Sequence, residues 1–248
     1  MGRFFLSCKS LDPRREITKR IEIKFLSKTL FTFSTNYKSE KPTINTVKRY
    51  EGKEFKKPVY MNSMDTNNNH GIAAIIMDAQ PKLLASLVET ERQLLTGSLE
   101  FLVKSMQVLN IPVLLTEQVP EKLGKTIPEI SDLMSDSSAF EKTTFSAFGA
   151  NEFSTWLEQN DIQQVLIGGI ETSICIYQTA VEANALNIGV TILEDCIASR
   201  RKGDAHTALN ELRNAGIHIL GIESVIYSLL SSSEHPKFRE ISALVRDR

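Results

Sequence analysis

The hydrophobic pattern of the chain changes abruptly at residue 71. Residues 71–78 (GIAAIIMD) form a continuous apolar run that ends in a charged residue, which is typical of a strand buried on both faces of a parallel sheet. Residues 92–110 then carry apolar side chains at the three- and four-residue spacing of an amphipathic helix. A second apolar run, residues 112–118 (PVLLTEQ), follows. This order predicts a βαβ unit with parallel strands.

The same alternation of strand and helix continues towards residue 222. Further strands are predicted at residues 139–141, 163–169, 189–195 and 217–222, with helices at residues 153–158, 172–187 and 204–215. Strands that alternate with helices of this length belong to the α/β class and form one parallel sheet. Because ligands of open parallel sheets bind beyond the carboxyl ends of the strands, we expect functional residues directly after each strand.

The first 69 residues have a different composition and charge. Residues 1–70 contain 15 Lys or Arg and 7 Asp or Glu, whereas residues 71–248 contain 14 and 23. We expect residues 1–69 to be a basic, disordered N-terminal extension and residues 70–248 to be the folded domain. A transit peptide would place the protein in mitochondria, but acidic residues at positions 12, 16 and 22 argue against one. We otherwise expect a cytoplasmic protein.

The number and spacing of cysteines and histidines indicate whether disulfides or metal sites are expected. The three cysteines, Cys8, Cys175 and Cys196, form no CxxC pair, and the four histidines lack metal-ligand spacing. These observations favour a reducing compartment and predict neither a disulfide framework nor a metal site. The acidic charge of residues 71–248 gives no reason to expect nucleic-acid binding, and no apolar run is long enough to span a membrane.

Three residues at predicted strand ends could carry chemistry. Asp78 ends the first strand, where a carboxylate acts either as a general base or as a helix cap. Cys175 follows two glycines and lies in the first turn of the next helix, where the helix dipole and free N–H groups favour a thiolate; Thr172 or Ser173 could cap that turn. A small buried hydrophobe is the alternative for Cys175. Lys142 either supports the Asp78 carboxylate or is a solvated loop residue.

Together these residues resemble the isochorismatase-like hydrolase superfamily of cysteine hydrolases, and most closely its isochorismatase-domain-containing subgroup. The resemblance covers about residues 71–248. Five motifs carry it in the right order: MDAQ (77–80), TEQVPEKLGKTIPE (116–129), EKTTFSAF (141–148), GIETSICIYQTA (169–180) and AGIHILGIES (215–224).

The resemblance implies a fold, a reaction and a set of roles. The fold would be a Rossmann-like, three-layer α/β/α sandwich with a six-stranded parallel sheet. Cys175 would be the nucleophile, Asp78 the general acid and base, and Lys142 its electrostatic partner. A cis peptide bond would join Ile170 to Glu171 and would direct the backbone N–H groups of Glu171 and Cys175 at an oxyanion. A homo-oligomer acting on a small molecule would be expected.

Two differences from known members of the superfamily narrow the expected reaction. Nicotinamidases of this superfamily hold a metal through an Asp and histidines after the second strand, but residues 116–119 (TEQV) contain no histidine, so we expect no metal and no cofactor. Isochorismatases lack the nucleophilic cysteine, so Cys175 favours hydrolysis of a C–N amide bond. Gln80 and Gln118 are predicted to face the cleft and orient the substrate.

Two other functions remain open at this point. The domain could bind or scaffold a partner with little hydrolase activity, or it could be a thiol redox protein that uses Cys175. The absence of a resolving CxxC partner counts against the redox function.

Overall fold

A computed structural model describes residues 19–24, 30–35, 71–134 and 139–248. The chain divides into two compact units, residues 1–56 and residues 57–248. In the first unit, β1 (Lys19–Lys24) pairs antiparallel with β2 (Leu30–Thr35). These strands were not predicted, although the alternation of polar and apolar residues in KRIEIK is typical of a strand. Disorder in the remainder of residues 1–69 stays a prediction, because it lies outside the described residues.

The second unit contains one six-stranded sheet in which all described pairings are parallel. The strand that comes first in the sequence lies in the middle of this sheet. The next two strands lie on one side of it, and the last three lie on the other side. In chain order the strands are β3 (Ile72–Met77), β4 (Val113–Gln118), β5 (Phe140–Lys142), β6 (Gln164–Ile170), β7 (Gly189–Ala198) and β8 (His218–Leu220). Across the sheet the order is β5-β4-β3-β6-β7-β8. The predicted α/β class and the six-stranded parallel sheet are confirmed.

Helices follow each strand of the sheet. The four predicted helices are present, and three of them begin within three residues of the predicted start. The fourth, predicted at residues 172–187, begins with a π-helical turn, Thr172–Ile176. Among the described residues, five further helices, two of them C-terminal to β8, were not predicted. The helices are α1 (Pro81–Leu84), α2 (Glu89–Val108), α3 (Pro120–Leu123), α4 (Pro128–Ser131), α5 (Asn151–Gln159), α6 (Tyr177–Ala185), α7 (Lys202–Asn214), α8 (Ile222–Leu230) and α9 (Phe238–Arg246).

The core lies on both faces of the sheet, which explains why the strands read as continuous apolar runs. Every residue of β3 is buried. Ile72, Ala74 and Ile76 pack with α2, α8 and α9 on one face. The intervening residues Ala73 and Ile75 pack with α5, α6 and α7 on the other. The result is three layers, helix, sheet and helix, as expected when alternate side chains of a strand point to opposite faces. Among the helices in the described ranges, none is long and apolar enough to cross a bilayer.

Candidate active site

Asp78, Lys142 and Cys175 meet at the carboxyl edge of the sheet. Asp78 directly follows β3, Lys142 is the last residue of β5, and Cys175 lies in the turn after β6. The Asp78 Oδ2 atom accepts a hydrogen bond from Lys142 Nζ at 2.8 Å, and both side chains are fully buried. The Asp78 carboxylate also lies near the Cys175 thiol, since its charge raises the pKa of that thiol. The three residues predicted from separate strand ends therefore lie together at one edge of the sheet.

Asp78 is held in place by the neighbouring strand. Its backbone adopts a left-handed conformation (φ 52°), which Asp tolerates better than most residues and which turns the chain sharply at the end of β3. Its N–H donates to the carbonyl of Thr116 at 3.0 Å, and its Oδ1 atom accepts from the Thr116 hydroxyl at 2.7 Å. The alternative of a helix cap does not apply, because the carboxylate points to β4, β5 and the thiol. Thr116 lies in a motif that was recognised but had no assigned role.

Lys142 is a buried cation whose donors all have acceptors. Besides Asp78, its Nζ atom donates to Gln118 Oε1 at 2.7 Å and to the Phe145 carbonyl at 3.2 Å. A buried charge is tolerated when it is paired and hydrogen-bonded in this way. The alternative of a solvated loop lysine is wrong, since the side chain has no exposed surface.

The two glutamines predicted to orient substrate have different surroundings. Gln80 is fully buried, and its amide accepts from the Gln118 N–H at 2.8 Å while donating to the Gln118 and Gly124 carbonyls. These backbone contacts join β4 and the loop after it to the end of β3. Gln118 accepts from Lys142 and donates to the Thr143 carbonyl at 2.9 Å. Both residues thus position the lysine and its strand, and a direct contact with substrate stays a prediction.

The turn that carries Cys175 differs from a standard helix start. The predicted caps are wrong: Thr172 donates its hydroxyl to the Ala198 carbonyl at 2.9 Å, and the Ser173 hydroxyl lies 3.4 Å from that of Ser199. The Glu171 carbonyl instead accepts from the N–H groups of Ile174 and Ile176, at 3.0 and 3.3 Å. The hydrogen bond from Ile176 spans five residues, as in a π-helix.

Backbone donors lie close to the sulfur. The peptide bond between Ile170 and Glu171 is cis, as the resemblance implied. The Glu171 backbone N–H lies near enough to the Cys175 sulfur to oppose, weakly, the rise in the pKa of the thiol. Cys175 itself lies in the first turn of a helix, where N–H groups have no intrahelical acceptor. An oxyanion held by the Glu171 and Cys175 N–H groups next to the sulfur stays a prediction.

Glycine makes the close approach of β3 and β6 possible. Gly168 and Gly169 lie inside β6. Gly169 has a φ of 117°, and a Cβ atom there would lie 2.1 Å from the Met77 carbonyl oxygen. Only glycine fits this position, which lies opposite Met77, the residue before Asp78.

Burial sets the protonation state of Cys175. Desolvation, followed by the charge of Asp78, raises the pKa of the thiol from 9.0 to about 12, against the opposing effect of Lys142. The thiol is therefore protonated at neutral pH, because burial outweighs the helix dipole and Lys142, which favour a thiolate. The sulfur becomes nucleophilic only when a base removes its proton, and Asp78 is the carboxylate whose charge acts on the thiol.

The raised pKa predicts how stability depends on pH. A thiol that ionises less readily in the folded state than in the unfolded state stabilises the fold below pH 9, and this contribution is lost between pH 9 and 12. At pH 10.5 the loss is about 2 kcal/mol for a shift of this size. We expect the free energy of unfolding, measured with urea, to fall between pH 8.5 and 10.5 by about that much more in the wild type than in Cys175→Ala. Parallel curves for the two proteins would contradict the shift.

Cys196 does not share this site. It is fully buried and packs with α2 and α8 on the opposite face of the sheet from Cys175. Burial and the adjacent Asp195 raise the pKa of its thiol well above the usual range. It is therefore a core residue and lies away from the strand-end site.

Metal ligands are not clustered in the part of the chain that the structure describes. There, no group of three or more His, Cys, Asp or Glu residues could hold a metal ion. The groups around Asp78 are the Thr116 hydroxyl, the Lys142 ammonium and the Cys175 thiol.

The fold and the site together define the class of the protein. It is a three-layer α/β/α protein with an all-parallel sheet and a buried Asp, Lys and Cys group at the carboxyl edge. The family model of the isochorismatase domain matches residues 73–224. The chain therefore belongs to the isochorismatase family, within the isochorismatase-like hydrolase superfamily.

Known relatives cover most of the described domain. Isochorismatase domain-containing protein 2 of Danio rerio is 31% identical over 175 residues, which are 71% of this chain and 87% of that protein. Isochorismatase domain-containing protein 1 of Danio rerio is 36% identical over 165 residues, 66% of this chain, but the match spans only about half (55%) of its length. The solved structure of the MAR1 ribonuclease from Caenorhabditis elegans has a TM-score of 0.66 at 28% identity, covering 72% of this chain and 91% of that one.

Proposed function

We propose that the protein is a cysteine hydrolase that cleaves a C–N amide bond of a small molecule through an acyl-enzyme on Cys175. The observation that carries this proposal is the fully buried Asp78 carboxylate, which accepts a hydrogen bond from the Lys142 ammonium at 2.8 Å and whose charge acts on the neighbouring Cys175 thiol. A nucleophile, a base in contact with it and a third group that orients the base are the arrangement that covalent catalysis requires.

Acylation begins with transfer of the thiol proton to Asp78. The sulfur attacks the carbonyl carbon, and the C–O electron pair moves to the oxygen, where the Glu171 and Cys175 N–H groups stabilise the negative charge. When the tetrahedral intermediate collapses, the C–N bond breaks and Asp78 gives its proton to the departing nitrogen. The products of this half-reaction are an amine or ammonia and a thioester on Cys175. Lys142 keeps Asp78 oriented and supports its charge.

Deacylation uses the same groups in reverse. Asp78 accepts a proton from a water molecule that attacks the thioester, and the oxyanion again faces the two N–H groups. The C–S bond breaks, the sulfur recovers a proton from Asp78 and a carboxylic acid leaves. One amide and one water are consumed in each cycle, and no other reactant is needed.

Alternative activities receive less support from the site. A binding or scaffolding role would not require a buried charged pair in contact with a thiol, because such pairs cost free energy of desolvation. The C. elegans neighbour is described as a ribonuclease. For this chain, however, the 23 acidic against 14 basic residues in 71–248 disfavour a polyanionic substrate. The homo-oligomeric state remains a prediction that light scattering can test.

The test is to trap the covalent intermediate. We expect the purified full chain, mixed with a set of small carboxamides and quenched in acid within seconds, to gain the mass of the acyl group on the peptide that contains Cys175. Cys175→Ser, which keeps the shape of the side chain, is the control and should gain no mass on that time scale. An adduct on Cys196, or amine release without any adduct in the wild type and undiminished in Cys175→Ser, would contradict the proposal.

A further inference from the structure

The Glu171 carboxylate lies beside the candidate nucleophile but has no role in the proposed reaction. It is nearly buried, with 10% of its side chain exposed. Its Oε2 atom accepts from Arg200 Nε at 2.9 Å. Its Oε1 atom accepts from the Arg200 N–H and from the Ser199 hydroxyl, each at 3.3 Å. Three donors from the two residues after β7 therefore fix this one carboxylate.

The backbone of the same residue holds the nucleophile turn. The Glu171 carbonyl accepts from Ile174 and Ile176, the residues on either side of Cys175. The segment after β7 also reaches this turn directly, because Thr172 donates to the Ala198 carbonyl at 2.9 Å. Glu171 thus connects the Cys175 turn to the end of the neighbouring strand through both its main chain and its side chain.

We propose that Glu171 and Arg200 are a positioning pair that holds the Cys175 turn so that the thiol meets the Asp78 carboxylate. Neither side chain takes part in bond breaking. The pair determines how often the sulfur and its base are in reactive geometry, and a displacement of about 1 Å in such a contact can cost up to about 100-fold in rate. The proposal deepens the proposed function, but it can be tested by alkylation of Cys175, which does not depend on any substrate.

An effect of charge alone would change the reaction rate of Cys175 differently in the two variants. A negative Glu171 disfavours formation of a thiolate and a positive Arg200 favours it. If the pair acted through charge, removing Glu171 would speed the reaction of Cys175 and removing Arg200 would slow it. Because half of the Arg200 side chain is exposed (53%), either effect would be less than about fivefold. A positioning role slows the reaction in both variants, and the loss is shared, so removing both residues costs no more than removing one.

The experiment measures iodoacetamide alkylation of Cys175 at pH 7.5 by peptide mass spectrometry. The proteins are the wild type, Glu171→Ala, Arg200→Ala, the double variant and Arg213→Ala. Arg213 is the matched control, because it forms a comparable ion pair with Glu194 at 3.0 Å, with 43% of its side chain exposed, on the surface of the same domain. We expect alkylation to slow about tenfold in both single variants and in the double variant. Arg213→Ala should stay within about twofold of the wild type.

Stability and turnover separate the possible outcomes. Arg200→Ala leaves Glu171 with the Ser199 hydroxyl and the residue 200 N–H as donors, so its melting temperature should match that of Arg213→Ala. Faster alkylation in Glu171→Ala, additive effects in the double variant, or rates equal to Arg213→Ala would overturn the positioning role. If no carboxamide is hydrolysed by the wild type while the alkylation pattern holds, the proposed function fails and the positioning pair stands.

Discussion

Replacing Asp78 with asparagine should reduce amide hydrolysis by about 10³-fold, since general acid and base catalysis each contribute about 10²–10⁴-fold. The change keeps the size and most hydrogen bonds of the side chain, but an amide cannot take the proton of the Cys175 thiol. With a pKa of about 12, that thiol is almost wholly protonated at neutral pH and cannot attack without a base. The same variant should also slow alkylation of Cys175 by iodoacetamide at pH 7.

The dependence of alkylation on pH identifies the role of Asp78. In Asp78→Asn the thiol must ionise by itself, so its alkylation rate should rise about tenfold per pH unit above neutral. In the wild type, the rate near neutral pH should depend less on pH because Asp78 accepts the proton. Cys196, which is buried in the core, is the internal reference and should react more slowly than Cys175 in both proteins. Faster alkylation of the variant at pH 7 would show that Asp78 acts mainly as a repelling charge.

Replacing Lys142 with methionine should destabilise the domain by about 3–5 kcal/mol, because it leaves the fully buried Asp78 carboxylate without its cation. For a domain of this size the melting temperature should fall by about 10 °C. Differential scanning calorimetry at pH 7.5 measures the change. Hydrolysis should be lost as well, since Lys142 orients the base.

The double variant Asp78→Asn, Lys142→Met separates stability from catalysis. It removes both charges, so much of the stability lost in Lys142→Met should return, while hydrolysis should remain absent. A double variant that is no more stable than Lys142→Met would mean that lost packing, and not an uncompensated charge, explains the effect.

The sequence predicts the sheet well because each strand is short, apolar and buried on both faces. Residues 71–78 and 163–169 show this pattern directly, and the structure places strands there. Asp78, Lys142 and Cys175 could be found because the carboxyl edge of a parallel sheet brings distant strand ends together. Helix α8 carried a detectable signal, with Ile222, Val225, Ile226 and Leu229 at helical spacing, but the prediction stopped at β8.

Other features of the candidate site could not be predicted from the local sequence. Gln80 bonds to the backbone of a neighbouring strand, 38 residues away, and spacing alone cannot show that its amide is used there. The contact between Glu171 and Arg200 joins residues 29 positions apart in the turns after adjacent strands. The protonated state of Cys175 also depends on how deeply the fold buries it. A first helical turn predicts the dipole effect but not the burial that outweighs it.

The strand order has a consequence for the newly made chain. Asp78 and Lys142 lie on strands of the half of the sheet that is synthesised first, whereas Cys175 follows β6, which pairs with β3 across about 90 residues of intervening chain. Closing such a long loop is slow compared with forming local contacts. Cys175 therefore meets Asp78 and Lys142 only when the two halves of the sheet join. A partly synthesised or partly folded chain holds the cysteine apart from the carboxylate and the ammonium, so the candidate site exists only once β3 and β6 have paired.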